Sequence, residues 1–242
     1  VTEQRRVEKE LRQLANYDVL TELPNRSLFN RRLSEALGTH RDDGYFAVLF
    51  LDLDRFKDIN DSMGHAIGDQ VLRAAAQRLR ETVTAPNMVA RLGGDEFTVL
   101  LEHIGSPNHA YRVADAILSS FSYALQVENG LEFSITPSIG ISVFPEDGRD
   151  ADTLVRKADT AMYQAKSAGR QRFCRYHTDM EARSRLRVQM SAMLRGAIER
   201  GEMSLVYQPR WNMRQERYSG VEALLRWQHP ELGTVSPATF IP

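Results

Sequence analysis

Sulfur chemistry is nearly absent from this chain: its 242 residues include one cysteine, Cys174. An internal disulfide framework is therefore excluded, and a reducing compartment suits the sequence. An excess of charge of one sign is missing too. Lys and Arg number 31 against 32 Asp and Glu, a net charge of −1. No global basic field points to nucleic acid or to an anionic membrane surface. No apolar run approaches the ~18 residues of a membrane span, and Val1-Thr-Glu-Gln-Arg-Arg opens nothing like a secretory signal. The six histidines show neither the His-x₃-His nor the Cys-His spacing of a zinc site. No Ser-His-Asp arrangement has positive support, and there is no repeat or low-complexity tract. What is present is ordinary globular composition, 42% hydrophobic and 26% charged. The length suits one large domain, or one domain and part of another.

Periodicity divides the chain. Val7, Leu11 and Leu14 form a short apolar stripe in a charged opening segment that reads as an amphipathic linker helix. A Pro-Asn pair then precedes a predicted helix over Arg26–Leu37. Tyr45–Leu53 is an apolar run of buried-strand length that ends in acid. Next come a predicted helix over Gly64–Val83 and a hairpin whose arms are Met88–Leu92 and Phe97–Leu101. A helix over Pro107–Phe121 follows. Asn129-Gly130 is a strong hairpin signal leading into a predicted strand over Glu132–Phe144. A helix at Ala151–Ser167 and a strand at Gln171–Tyr176 complete the unit. Residues 178–203 read as one long polar helix, and Ser204–Gln208 and Tyr218–Trp227 as strands. The expected organisation is a linker helix (1–16), an α/β domain (17–177), a connector helix (178–200) and the opening of a second domain (201–242).

Two acidic clusters are the candidates for chemistry. In the stretch from Phe50 to Asp61, Asp52 and Asp54 are two apart, so both side chains leave one face of a strand. Neighbouring carboxylates at a strand end make a hard-oxygen pocket suited to Mg²⁺, which shares its other positions with water and phosphate. The same pattern is also that of a solvated exit turn. In Arg91-Leu-Gly-Gly-Asp-Glu-Phe97, Gly93 and Gly94 let the backbone approach a ligand and offer amides to an anion. Asp95 and Glu96 beside them make sense with a bridging cation, or as the exposed acids of a plain tight turn. Asn60 and Asp69 flank Gly64-His65 and suit a purine edge, since Asn supplies donor and acceptor and Asp accepts from N–H groups. Viewed alone, caps and turn residues around a helix start are the plainer explanation of both. Lys166 and Arg170, four apart near a predicted helix end, suit phosphate or simply complement the helix dipole.

These residues together resemble the GGDEF family, the diguanylate cyclases. The turn at residues 91–97 is similar to the family's eponymous motif, and Asp18-Val-Leu-Thr-Glu-Leu-Pro-Asn-Arg26 to its N-terminal motif. Asp52–Asn60 with Gly64-His65 and Gly68-Asp69 resembles the metal- and guanine-binding stretch. Ala158–Lys166 with Gly169-Arg170 resembles the last helix. Four motifs in order over residues 17–177 outweigh the plainer reading of each. The resemblance implies an α/β (α+β) fold of the nucleotidyl-cyclase and palm type: a central, mostly antiparallel sheet flanked by helices, with the GGDEF turn on a β-hairpin. It implies condensation of two GTP into cyclic di-GMP and two pyrophosphates. Position by position, Asp52, the Leu53 carbonyl and the turn acids Asp95 and Glu96 would hold Mg²⁺ (or Mn²⁺). Asp95 would accept the proton, with Glu96 as its acidic neighbour. Asn60, His65 and Asp69 would bind guanine, Gly93 and Gly94 would pass under the phosphates, and Lys166 and Arg170 would meet the phosphate tail.

Each such domain holds one GTP, so the expectation is a homodimer through the active face. The alternative is a catalytically silent GTP-binding module that regulates its neighbour. Where many members carry an Arg-x-x-Asp product-inhibition site, this chain reads Thr84-Ala-Pro-Asn87, and feedback through that surface is not expected. Gly201–Pro209 and Gly220–Trp227 resemble the start of an EAL domain, the cyclic di-GMP phosphodiesterase. Glu222 would be a metal ligand there, and Gln208 and Arg226 substrate contacts. The family's remaining ligands lie beyond this stretch, so no hydrolysis is expected from it. A cytoplasmic location is expected, with an upstream sensor and a downstream EAL domain in the parent protein and room for a membrane anchor outside this stretch.

Overall fold

The computed structural model describes residues 14–39 and 44–240. The N-terminal stripe therefore lies outside the described residues except for a helical turn at 14–16. The chain divides into two compact units, with the boundary between Met180 and Glu181.

In the first unit the elements run α1 (Arg26–Thr39), β1 (Tyr45–Leu53), α2 (Phe56–Met63), α3 (His65–Thr82), β2 (Met88–Gly93), β3 (Glu96–Ile104) and α4 (Pro107–Ser120). A small ladder follows, β4 (Leu125–Gln126) with β5 (Glu132–Phe133), and then β6 (Pro137–Phe144), α5 (Ala151–Ser167) and β7 (Phe173–Arg175). The main sheet has the order β2-β3-β1-β6-β7. Its pairings are antiparallel except β6 with β7.

The uninterrupted apolar run of β1 reflects burial on both faces of a central strand. Ala47, Leu49, Leu51 and Leu53 join a core with Phe56 of α2, Val71, Leu72 and Leu79 of α3, and Ala114 and Ile117 of α4. Phe46, Val48 and Phe50 pack on the other side against Phe29 and Leu33 of α1 and Leu154, Ala158 and Met162 of α5. Local signals start the helices. Asn25 Oδ1 accepts the Leu28 N–H at 3.1 Å, and Asp150 Oδ1 accepts that of Thr153 at 2.8 Å.

Three elements differ from the sequence reading. Helix α2 was not anticipated; it buries Phe56 and occupies what read as an acidic strand exit. The predicted strand Glu132–Phe144 is broken. Its first two residues pair with β4, and the Thr136 carbonyl is diverted to the Asp54 N–H at 2.8 Å before β6 begins. The long polar helix, α6 (Thr178–Leu194), stops short of residue 203, because Gly196 and Gly201 take left-handed conformations at φ 75° and 70°.

The second unit contains an antiparallel sheet of β8 (Met203–Asn212), β9 (Arg217–His229) and β10 (Gly233–Val235), and a short α7 (Pro237–Phe240). Trp227 is fully buried there with Met190, Ala197, Val235 and Phe240, and its Nε1 donates to Glu202 Oε2 at 2.9 Å.

Candidate functional site

Side-chain alternation decides what the end of β1 presents. Asp52 shares the face of Phe46, Val48 and Phe50, the face that α5 covers. Its direct cross-strand partners are Glu96 at the start of β3 and Ser138 on β6. Helix α5 delivers Lys166, whose Nζ lies 2.7 Å from Asp52 Oδ2. That approach depends on a stripe of small residues on β6. A Cβ at Gly140 would fall 1.9 Å from the Ala158 carbonyl oxygen and 2.1 Å from the Met162 nitrogen, both backbone atoms of α5. One turn earlier in the helix, Ser142 Oγ donates to the Leu154 carbonyl at 2.8 Å.

Asp52 is 8% exposed. Burial pushes its carboxyl up to about 6; the Lys166 hydrogen bond opposes that rise, and the Asp95 charge adds to it. The Glu96 carboxyl is also raised, first by burial and next by the carboxylate of Asp159. Asp159 escaped the sequence reading. The available signal was its spacing of seven from Lys166, which puts both on one helix face.

The turn itself is braced from below. Gly93 and Gly94 adopt φ 146° and 53°, the second in the left-handed region that favours glycine. Arg91 donates from Nε and Nη2 to the Gly94 carbonyl at 3.0 and 2.7 Å, and from Nη1 to Asp18 Oδ1 at 2.8 Å. Asp18 also accepts from the Thr21 N–H and Oγ1 at 2.9 and 2.6 Å. Burial alone would raise its carboxyl, but the bonds from Thr21 and Arg91 outweigh this and hold it below the usual carboxylate range. The N-terminal motif thus fastens the turn through Arg91, a role that no local pattern announced. The Leu53 N–H donates to the Asp95 carbonyl at 3.3 Å, joining the end of β1 to the same turn.

Asp54 behaves differently from its neighbour. Equally buried, it accepts from Thr136 Oγ1, Ser138 Oγ and the Gln171 N–H at 2.9, 2.7 and 3.2 Å. The same-face carboxylate pair read from sequence is therefore one acid paired to a lysine and one acid saturated by neutral donors. Asp54 anchors the loop after α5, on which Arg170 stands exposed at φ 62°.

Asn60, His65 and Asp69 gather where α2 meets α3. The Gly64 N–H donates to the Asn60 carbonyl at 2.9 Å, while His65 opens α3 and Asp69 lies one turn on, both exposed. Asp95 and Glu96 are half-buried, Gly93 and Gly94 exposed. Among the described residues no three His, Cys, Asp or Glu side chains converge tightly enough to enclose an ion unaided. Asp52 beside Glu96, with backbone carbonyls at the strand end, is nevertheless a hard-oxygen set that fits Mg²⁺. That ion commonly takes one or two carboxylates and completes its shell with water and phosphate.

In the second unit, Gln208 and Glu222 are direct cross-strand partners on β8 and β9. Arg226, four residues beyond Glu222, lies on the same face by alternation.

Comparison with known proteins agrees with this architecture. The family model for "Diguanylate cyclase, GGDEF domain" matches residues 15–172, and that for "EAL domain" matches residues 191–242. The bifunctional diguanylate cyclase/cyclic di-GMP phosphodiesterase MucR of Pseudomonas aeruginosa is 43% identical over 98% of this chain, which spans 34% of MucR. The cyclic di-GMP phosphodiesterase PdeR of Escherichia coli is 38% identical over the whole chain, which spans 36% of PdeR. The solved GGDEF domain of YfiN (TpbB) from Pseudomonas aeruginosa superimposes with a TM-score of 0.67 at 42% identity, covering 70% of this chain and 99% of that one. This chain therefore belongs to the GGDEF family, the family of the diguanylate cyclases, and continues into an EAL segment.

Proposed function

We propose that this chain is a diguanylate cyclase, condensing two GTP into cyclic di-GMP with release of two pyrophosphates. The observation that carries the reading is the buried Asp52, facing Glu96 across the sheet and paired to Lys166 from α5. In each half-reaction the ribose 3′-oxygen of one GTP forms a bond to the α-phosphorus of the other. The bond from that phosphorus to the pyrophosphate breaks, and the hydroxyl proton passes to Asp95. Mg²⁺ or Mn²⁺ at Asp52, the Leu53 carbonyl and Glu96 or Asp95 would neutralise the phosphates and stabilise charge on the departing pyrophosphate.

The chain's own groups do the rest. Asn60, His65 and Asp69 orient guanine, and Gly93 and Gly94 leave room for the phosphates. Lys166 and Arg170 grip the triphosphate, and Lys166 gives up Asp52 to do so. One chain offers one such set, so two copies meet through this face, which aligns nucleophile and electrophile. The reading assigns 17–177 to the cyclase domain, 178–200 to a connector and 201–242 to the start of an EAL domain. It also makes 1–16 a linker from an upstream sensor. Consumption of GTP puts the domain in the cytoplasm; no helix among the described residues is long and apolar enough to cross a membrane.

A second reading, a silent GTP-binding module that tunes an adjoining phosphodiesterase, is favoured by relatives such as PdeR that are named for the phosphodiesterase alone. Incubation of concentrated protein with GTP and Mg²⁺, followed by nucleotide separation, decides between them. Cyclic di-GMP, lost in Asp95→Ala, supports synthesis; bound and unchanged GTP supports the silent module. Failure to bind GTP would overturn both.

A further inference from the structure

Helix interiors favour alanine over glycine, so a glycine there needs a reason. Gly68 sits in the first turns of α3, buried, its N–H bonded to the Gly64 carbonyl at 3.2 Å. A Cβ at this position would fall 1.9 Å from Asn60 Oδ1, 3.0 Å from Asn60 Cγ and 3.2 Å from Phe56 Cζ. The obstacle is the Asn60 carboxamide, not the backbone. That amide lies directly on the bare Cα of Gly68, one residue before Asp69. Phe56 and Asn60, four apart on α2, form the wall against which the two helices close.

We propose that Gly68 is a specificity-determining position: it leaves the space in which the Asn60 carboxamide rests, and so fixes the amide that recognises guanine. This rests on the reading of Asn60 as a guanine contact. Gly68 touches no nucleotide; it acts through Asn60 and is a positioning residue. A methyl group there pushes the carboxamide off its seat while α3 itself is favoured, so recognition is lost without loss of helix.

The test is a double-mutant cycle on the full chain: GTP affinity by calorimetry, with Ca²⁺ as counter-cation, for wild type, Gly68→Ala, Asn60→Ala and the double variant. Gly68→Ala is expected to raise the GTP Kd about tenfold, the order of one lost hydrogen bond. In the Asn60→Ala background the same substitution is expected to change it by less than about twofold, the scatter of uncoupled sites. A purely structural role would weaken binding equally in both backgrounds and would overturn the proposal. So would an unchanged Kd in Gly68→Ala. If Gly68→Ala alone fails to fold, the double variant is expected to fold, because the clashing group is gone; a double as unfolded as the single also overturns it. A wild type that binds no GTP, or an Asn60→Ala that binds normally, instead defeats the underlying functional reading.

Discussion

Replacing Asp52 with asparagine should strengthen the fold while, on the proposed function, ending synthesis. Asp52 is 8% exposed, and its carboxyl is raised from 3.8 to about 6, burial being the largest cause. Between those two values the folded chain keeps a proton that the unfolded chain has released. Stability attributable to Asp52 is therefore undiminished below about pH 4, falls as pH rises, and is lost in full above about pH 6. The difference corresponds to about 3 kcal/mol. Asparagine has nearly the same shape and no charge, so the advantage of Asp52→Asn should grow from near zero at pH 4 to about 3 kcal/mol at pH 8. Urea unfolding of both proteins across that range, in EDTA and followed by far-UV circular dichroism, measures it. Both tryptophans, Trp211 and Trp227, lie in the second unit, so their fluorescence follows that unit separately. A stability difference that is flat with pH, or one favouring the wild type increasingly at high pH, would show that the Lys166 ion pair outweighs desolvation and would refute the reasoning.

The clasp beneath the turn gives a second expectation. Arg91→Lys cannot reproduce a fork bonding Gly94 and Asp18 together, so it should cost about 1–3 kcal/mol in urea unfolding and lower turnover more than GTP affinity. Wild-type stability in that variant would mean the clasp holds nothing. Gly140→Ala drives a methyl group into the backbone of α5 and should destabilise by about 3 kcal/mol, read as a lowered melting temperature. An unchanged melting temperature would contradict direct docking of helix on strand. At the surface turn before β2, Asn87 is occupied locally, donating to the Thr84 carbonyl from N and Nδ2 at 3.2 and 3.1 Å and accepting the Glu102 N–H at 3.2 Å. Cyclic di-GMP is therefore expected not to inhibit synthesis through this turn; inhibition abolished by Thr84→Ala or Asn87→Ala in an initial-rate assay would overturn that.

Elements were legible in proportion to how far their own residues dictate burial. Tyr45–Leu53 and Ala151–Ser167 occupy the spans read from periodicity, because a two-sided buried strand and an amphipathic helix carry their environment in their side chains. Helix α2 was hidden because its eight residues bury one large side chain, Phe56, and its polar remainder imitates a strand exit. The helix read over 178–203 ends early because charge patterning continues past Leu194 while the stop comes from the backbone of Gly196. At the site, residue types were readable and partners were not. Lys166 reaches Asp52 across more than a hundred residues of chain, and the hydroxyls that saturate Asp54 come from Thr136, just before β6, and Ser138, on β6. Neither contact leaves a trace in local spacing.

The contrast between Asp52 and Asp54 also bears on which acid could take a ligand. Both are 8% exposed, and burial penalises a carboxylate unless donors replace its water. Asp54 receives two hydroxyls and a backbone amide, neutral donors held at the start of β6 and in the loop after α5. Such an acid has little to gain from a ligand. Asp52 instead faces other carboxylates, and the group that compensates it is the ammonium of a partly exposed lysine. A long side chain can leave, whereas a strand hydroxyl cannot. On the proposed reading, Lys166 serves Asp52 while the site is empty and turns to the triphosphate when GTP arrives. Its departure would leave Asp52 most in need of positive charge, which a divalent cation held with the phosphates would supply, and this would link occupancy of the nucleotide site to the ionised acid.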